Sequence, residues 1–353
     1  DGKVVKDDTG TFLARHKDLW FDDGSIICRA QDTLFRVHIS QLARRSVYFR
    51  DMFAVPHSQA CDAVKERYEG LCELGVDVDT TPVIRLHDSA EDVGNLLKAL
   101  YDGPDFGDNS EKDFCKASGI LRLSHKYIVD SLKAKALAHL SVAWPTNLKA
   151  WDMREDIARI YELETNGRQF YPHPIAVINL AREVDAPSLL PAAFYDLSRR
   201  SFTQIFEAQE DGALNLFMND MQRLCLGKEA TQQAITALIQ ALGNSPQVRQ
   251  SQYHAIAQTH GRRHSGSVFS SGICISAATC RKDFSELVDL ATQHYLFDRE
   301  RGCYDPLYVA EELGQLKSAE FSECVACART LESWAARERE RLWKLIPQWF
   351  RLE

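Results

Sequence analysis

The sequence lacks any apolar run that approaches the roughly 20 residues of a membrane-spanning helix. It also lacks a basic excess, because 50 Asp and Glu residues outnumber 42 Lys and Arg residues and leave a net charge of -8. Nucleic acids and anionic membranes attract basic surfaces, so we expect neither as a partner. The stretch DGKVVKDDTG at residues 1–10 is polar and acidic, and it does not resemble a secretory signal.

The common enzyme motifs are missing as well. The sequence contains no nucleophile elbow, phosphate-binding loop, zinc-protease helix or EF-hand loop. The stretch DVDTT does match the D-x-D-x-T loop of haloacid dehalogenase-type phosphatases, in which Asp77 would attack phosphorus and Asp79 would move a proton beside magnesium. However, the preceding LCELGV is a poor buried strand, and no alternating β–α pattern follows. We therefore expect a protein that is not an enzyme, with a metal-dependent phosphatase as an alternative.

Ten cysteines are scattered along the chain, which is typical of a reducing compartment. We therefore expect an intracellular protein, cytoplasmic or nuclear. Cys324 and Cys327 have the C-x-x-C spacing of zinc ligands, and Cys274 and Cys280 could supply two more thiolates. The alternative is that these cysteines are small packed residues without a metal. A structural zinc ion is the one cofactor that the sequence suggests.

The N-terminal third alternates between strand and helix patterns. GSIICRA and TLFRVHI are rich in branched and aromatic residues and predict two strands joined by a tight turn. Leu42, Ser46, Phe49 and Phe53 then recur at helical spacing and predict one helix. The strand VIRL and a helix that begins after Ser89 follow, and further helices cover residues 111–141.

This order of hairpin, helix, strand, helix and helical cluster resembles a BTB/POZ domain over residues 16–145. The signature residues are Phe35, His38, Leu42, Phe49, Met52, Phe53 and Tyr127. The amino-acid sequence is most similar to a large group of fungal BTB proteins with a helical C-terminal half. The resemblance implies an α+β protein with an N-terminal tail at residues 1–15, an insert at 56–81 within the BTB domain, and a helical domain at 146–353.

The resemblance also implies that the function is protein–protein interaction, as an adaptor or scaffold, with homodimerisation as the usual assembly. The candidate residues for a dimer interface are Leu19, Trp20 and Phe21. One version of this function is a substrate adaptor of a cullin-RING ubiquitin ligase. The candidate residues for cullin contact are Phe114, Lys116 and Tyr127, although Lys116 or Ser118 stands where cullin-binding relatives carry an acid. The alternative is a transcriptional or structural BTB scaffold that binds no cullin.

Overall fold

The structure is a computed structural model that describes residues 4–6, 12–54, 81–210, 214–243, 277–297, 301–315 and 324–353. A small sheet lies at the N-terminus, and the rest of the described chain is mainly helical, which confirms the α+β class. Two compact units form. The first comprises residues 1–144, 153–173 and 179–186, and the second comprises 145–152, 174–178 and 187–353. Among the described helices, none combines the length and the hydropathy needed to cross a membrane.

The first unit contains a five-stranded sheet in the order β1-β2-β4-β3-β5. Its strands are β1 Val4–Lys6, β2 Phe12–Trp20, β3 Ile26–Ala30, β4 Thr33–Val37 and β5 Val83–Leu86. Strands β3 and β4 form the predicted hairpin, in which Ala30 pairs with Thr33 across a two-residue turn. Gln31 in that turn has a φ of 53°, a left-handed conformation that the chain needs to reverse direction within two residues. Strand β5 runs parallel to β3, and β2 runs parallel to β4.

The described residues up to 186 also contain helices. They are α1 Ile39–Arg45, α2 Val47–Ala54, α3 Ala90–Tyr101, α4 Glu111–Lys126, α5 Asp130–Ala143, α6 Leu148–Glu164 and α7 Pro174–Glu183. Helix α3 begins as predicted, because the Ser89 hydroxyl accepts a hydrogen bond from the Asp92 amide at 3.1 Å. The prediction of one continuous helix through Phe53 was wrong. The chain breaks at Ser46, which has extended backbone angles and separates α1 from α2.

Residues 1–15 were predicted to be a tail, but the sheet extends into this range. Strand β1 pairs antiparallel with β2, and β2 begins at Phe12. Leu13 in β2 is completely buried, and so is Leu34 in the adjacent strand β4. Burial of apolar side chains on this strand explains why the segment joins the sheet.

The boundary predicted between residues 145 and 146 falls close to the end of the first continuous segment at Trp144. Residues 153–173 nevertheless belong to the first unit, and the contacts of Arg154 on α6 give the reason. Its guanidinium lies 4.7 Å from the ring of Trp144 and 4.5 Å from that of Tyr171. Its Nε also donates to the Ala143 carbonyl at 2.9 Å. This buried cation holds the start of α6 against the end of α5.

The second unit is built from helices. They are α8 Leu190–Ser198, α9 Phe202–Glu210, α10 Met218–Gly243, α11 Ala277–Thr292, α12 Pro306–Gln315 and α13 Val325–Trp349. Its core contains large buried side chains, among them Tyr195, Phe194 and Phe350. The hydroxyl of Tyr195 donates to Asp305 at 2.7 Å and accepts from the Leu307 amide at 3.1 Å. These bonds satisfy a phenol that would otherwise be costly to bury.

Candidate functional site

The signature residues of the first unit form a core between the sheet and the helices. Phe35 and Leu42 are completely buried, and Phe49 is 2% exposed. The ring of Phe49 stacks on that of Tyr127 with centroids 4.8 Å apart. Burial of Phe49 was predicted and is confirmed. Met52 and Phe53 were predicted to fill the same core, but both are only half-buried.

Tyr127 joins the end of α4 to the helix break at Ser46. The Ser46 hydroxyl donates to the Tyr127 carbonyl at 2.5 Å and accepts from the Phe49 amide at 3.1 Å. The Tyr127 hydroxyl donates to Asp88, which also pairs with Lys126 at 2.6 Å. Burial, with the adjacent Asp88 carboxylate, raises the pKa of Tyr127 well above its usual range. These partners fix the ring in place and leave it no chemical role.

His38 lies where β4 leads into α1. Its amide donates to the hydroxyl of Tyr101 at 2.9 Å, and its ring Nδ1 lies 2.8 Å from the same oxygen. Its Nε2 lies 3.2 Å from a carboxylate oxygen of Asp23. His38 therefore ties the sheet to the end of α3, an arrangement that serves the fold.

The three candidate residues for the dimer interface lie in different environments. Leu19 is 2% exposed, so its side chain belongs to the core and is not available at a surface. Phe21 is partly covered by Tyr101, with ring centroids 4.8 Å apart. Trp20 packs against the guanidinium of Arg15 at 4.6 Å. Because the side chain of Leu19 lies in the core, the three residues do not form one continuous exposed interface.

The candidate residues for cullin contact are mostly covered as well. Phe114 is 7% exposed and Tyr127 is 3% exposed. Lys116 is more accessible, but its ammonium pairs with the Asp105 carboxylate at 3.0 Å. The structure therefore does not bring these three side chains together on one exposed surface. The phosphatase candidates Asp77 and Asp79 and nearly all of the insert at 56–81 lie outside the described residues.

A buried ion pair that the sequence analysis missed holds the loop before α4. His139 Nε2 lies 2.6 Å from a carboxylate oxygen of Asp113. The Asp113 carboxylate also accepts from the amides of Gly107 at 2.7 Å and Asn109 at 2.9 Å. Burial raises the pKa of Asp113, but these hydrogen bonds and His139 outweigh burial and lower it overall. Spacing could not reveal the pair, because 26 residues separate its members.

A buried lysine in the second unit was also missed. The Lys228 ammonium donates to the carbonyl of Ser198 at 2.8 Å and to that of Arg200 at 2.6 Å. Burial lowers its pKa to about 8. Since Ser198 is the last residue of α8, this cation satisfies carbonyls that the helix itself leaves open. Its role is that of a helix cap.

Helix α6 presents an apolar face to solvent, and no sequence prediction pointed to it. Met153, Ile157, Ile160 and Leu163 are 60%, 47%, 57% and 77% exposed, respectively. Their spacing of four, three and three residues places them along one side of the helix. On the same helix Arg154 is 4% exposed. A surface helix usually exposes its charged side chains and buries its apolar ones. Here Arg154 is buried and the four apolar side chains are exposed. Exposed apolar patches of this kind mark interaction sites.

Charged residues stand at both ends of this apolar face. Lys149 lies in the first turn of α6 and Glu164 is its last residue, and both are exposed. The helix macrodipole favours the opposite order, with acids at the N-terminus and bases at the C-terminus. These two charges therefore do not stabilise the isolated helix. We define residues Lys149, Met153, Ile157, Ile160, Leu163 and Glu164 as the α6 face.

Three of the four predicted zinc ligands come together in the second unit. The sulfur atoms of Cys280, Cys324 and Cys327 all lie within 4.8 Å of one another. Cys280 is 6% exposed and Cys324 is 5% exposed, whereas Cys327 is half-buried. The fourth predicted ligand, Cys274, lies outside the described residues. Sequence spacing suggested the pair Cys324 and Cys327, and the tertiary structure places the sulfur atom of Cys280 beside them.

Two features of the described residues are candidates for binding. The α6 face could bind a protein partner, and the cysteine cluster could bind a metal ion. The α6 face has the apolar side chains and terminal charges of an association surface. The cysteine cluster has the soft donors of a metal site. Comparison with protein-family models and with curated proteins found no match for this chain.

Proposed function

We propose that the protein is a non-enzymatic interaction scaffold with a BTB/POZ-type first unit, and that it self-associates through the α6 face. The exposed apolar side chains of α6 are the observation that carries this proposal. The order of the hairpin β3–β4, the helices α1 and α2, the strand β5 and the following helices supports the BTB resemblance.

The arrangement of the α6 face favours a second copy of the chain as its partner. Lys149 and Glu164 are symmetric in the sequence about the point between Asp156 and Ile157, and so are Met153 and Ile160. If two α6 helices pack antiparallel about a two-fold axis, Met153 meets the partner's Ile160 and Lys149 meets the partner's Glu164. A two-fold interface requires this kind of self-complementarity. Parallel packing would instead bring like charges together.

The size of the face sets the expected affinity. The four apolar side chains are 47–77% exposed, and burying the exposed parts contributes about 5 kcal/mol per copy at about 2 kcal/mol per fully buried side chain. The pair therefore gains about 10 kcal/mol, against an association cost of about 4–15 kcal/mol. At the low end of that cost the net gain is about 6 kcal/mol, so the balance predicts a weak, reversible dimer with a dissociation constant of about tens of micromolar or higher.

Sedimentation velocity over a wide range of protein concentration tests the proposal. The wild-type chain should shift from monomer to dimer, and Ile160→Asp should remain a monomer, because the introduced carboxylate would have to be buried unpaired. Leu290→Asp is the matched control, since Leu290 on α11 has the same 57% exposure as Ile160. It should associate like the wild type. A wild-type chain that stays monomeric at millimolar concentration would exclude self-association.

Charge reversal tests the antiparallel arrangement. Lys149→Glu should weaken association, because it places that carboxylate against the partner's Glu164. The double variant Lys149→Glu with Glu164→Lys restores opposite charges across the two-fold axis and should restore association. Equal affinity of the single and double variants would contradict the antiparallel packing.

Binding of a cullin stays a prediction of the BTB resemblance, as does the transcriptional alternative. Phe114 and Tyr127 are covered within the first unit, so a cullin would have to bind a different surface. Co-purification of the full chain with a cullin separates the adaptor from the other scaffolds. Binding that survives Phe114→Ala would indicate such a different surface.

A further inference from the structure

We propose that Cys280, Cys324 and Cys327 form a binding site for one zinc ion in the second unit. This site is independent of the proposed scaffold function. Two helices of the fold deliver the ligands. Cys280 is the fourth residue of α11, Cys324 is the N-cap of α13, and Cys327 follows in the first turn of α13.

The distances suit a metal. A zinc–thiolate bond of about 2.3 Å in tetrahedral geometry places two sulfur atoms about 3.8 Å apart. The three sulfur atoms lie within 4.8 Å of one another without any ion, so small side-chain rotations bring them to that spacing. Three thiols converge here from two helices that are distant in the sequence, although a single small residue from each helix would fill the same space.

The position at the start of α13 also suits thiolates. The N-terminus of a helix carries a partial positive charge from its open amides, and this charge favours the anionic form of a nearby cysteine. Cys324 and Cys327 both lie in this region. On binding, each thiol loses its proton to solvent and each sulfur donates an electron pair to the ion, which partly neutralises three charges that would otherwise repel one another.

The chemistry of the donors selects the ion. Thiolates prefer soft or borderline metals, and zinc accepts a tetrahedral set without a redox change. Three protein ligands leave one coordination position for water or for another side chain. Because 43 residues separate Cys280 from Cys324, the ion would join α11 to α13 and contribute folding free energy to the second unit.

Elemental analysis of the full chain, purified without a metal-binding tag and supplied with zinc, tests the site. We expect about one equivalent of tightly held zinc per chain. Cys324→Ser and Cys327→Ser should each lower this content severalfold, whereas Cys225→Ser should not change it. Cys225 is an exposed cysteine of α10 in the same unit and is the matched control.

Cobalt titration of the wild-type chain provides a second measurement that does not depend on variants folding. Cobalt bound by three thiolates should give intense sulfur-to-metal charge-transfer absorption together with visible bands of tetrahedral geometry. Less than about a tenth of an equivalent of zinc, with no charge-transfer absorption from cobalt, would overturn the proposal.

Discussion

Replacing Gly227 by alanine should destabilise the second unit, although alanine is the better helix former. Gly227 lies inside α10, and a Cβ atom at this position would lie 1.9 Å from a ring carbon of Phe350. Phe350 is completely buried and stacks on Phe194 with ring centroids 5.3 Å apart. The ring cannot turn into solvent to make room, so either the ring or the helix must shift.

The expected magnitude follows from two opposing effects. Helix propensity favours alanine over glycine by about 1 kcal/mol. Overpacking of a well-filled core typically destabilises by about 1–3 kcal/mol, and by more where backbone must move. The overlap with Phe350 is far shorter than a normal contact, so we expect a cost of about 3 kcal/mol or more. After the gain in helix propensity, the net loss is about 2 kcal/mol or more. For a unit of this size, the melting temperature should fall by at least about 4–8 °C.

Thermal and urea unfolding followed by circular dichroism measure this effect. Gly94→Ala is the matched control, since Gly94 also lies inside a helix, α3, but its nearest neighbour would be the ring of His16 at an ordinary 3.5 Å. We expect this variant to be as stable as the wild type or more stable. Combining Gly227→Ala with Phe350→Leu should lose less stability than the sum of the two single changes. A Gly227→Ala protein that melts at or above the wild-type temperature would refute the reasoning.

Two further predictions concern the first unit. Phe49→Ala should destabilise it by about 3–5 kcal/mol, because it removes a ring that is 2% exposed and stacked on Tyr127; a shift of the melting temperature by a degree or less would contradict this. The lowered pKa of Asp113 means that its contribution to stability is present above the ordinary pKa of aspartate and is lost as pH falls through the lowered value. The free energy of unfolding of Asp113→Asn should therefore be lower than that of the wild type at neutral pH, and it should fall less in acid. If the free energy of unfolding falls equally in acid for both proteins, the pair of Asp113 and His139 does not stabilise the fold.

The sequence alone determined the features that depend on neighbours along the chain. The hairpin of β3 and β4, the N-cap at Ser89 and the burial of Phe49 each follow from spacing over a few residues. Strand alternation, turn chemistry and helical periodicity are local properties, so a single segment contains the information that predicts them.

Only the tertiary structure decided the features that depend on distant parts of the chain. The break at Ser46 requires the Tyr127 carbonyl, which lies 81 residues away, and the burial of Leu19 requires the rest of the sheet. A helical stripe such as that of Met153, Ile157 and Ile160 shows in the sequence which residues share a face, but not whether the face is covered. Arg154 packs against Trp144, so the side of α6 that carries Arg154 faces inward. The apolar side of the helix is therefore exposed. The meeting of Cys280 with Cys324 and Cys327 likewise depends on how two helices pack, which no local pattern specifies.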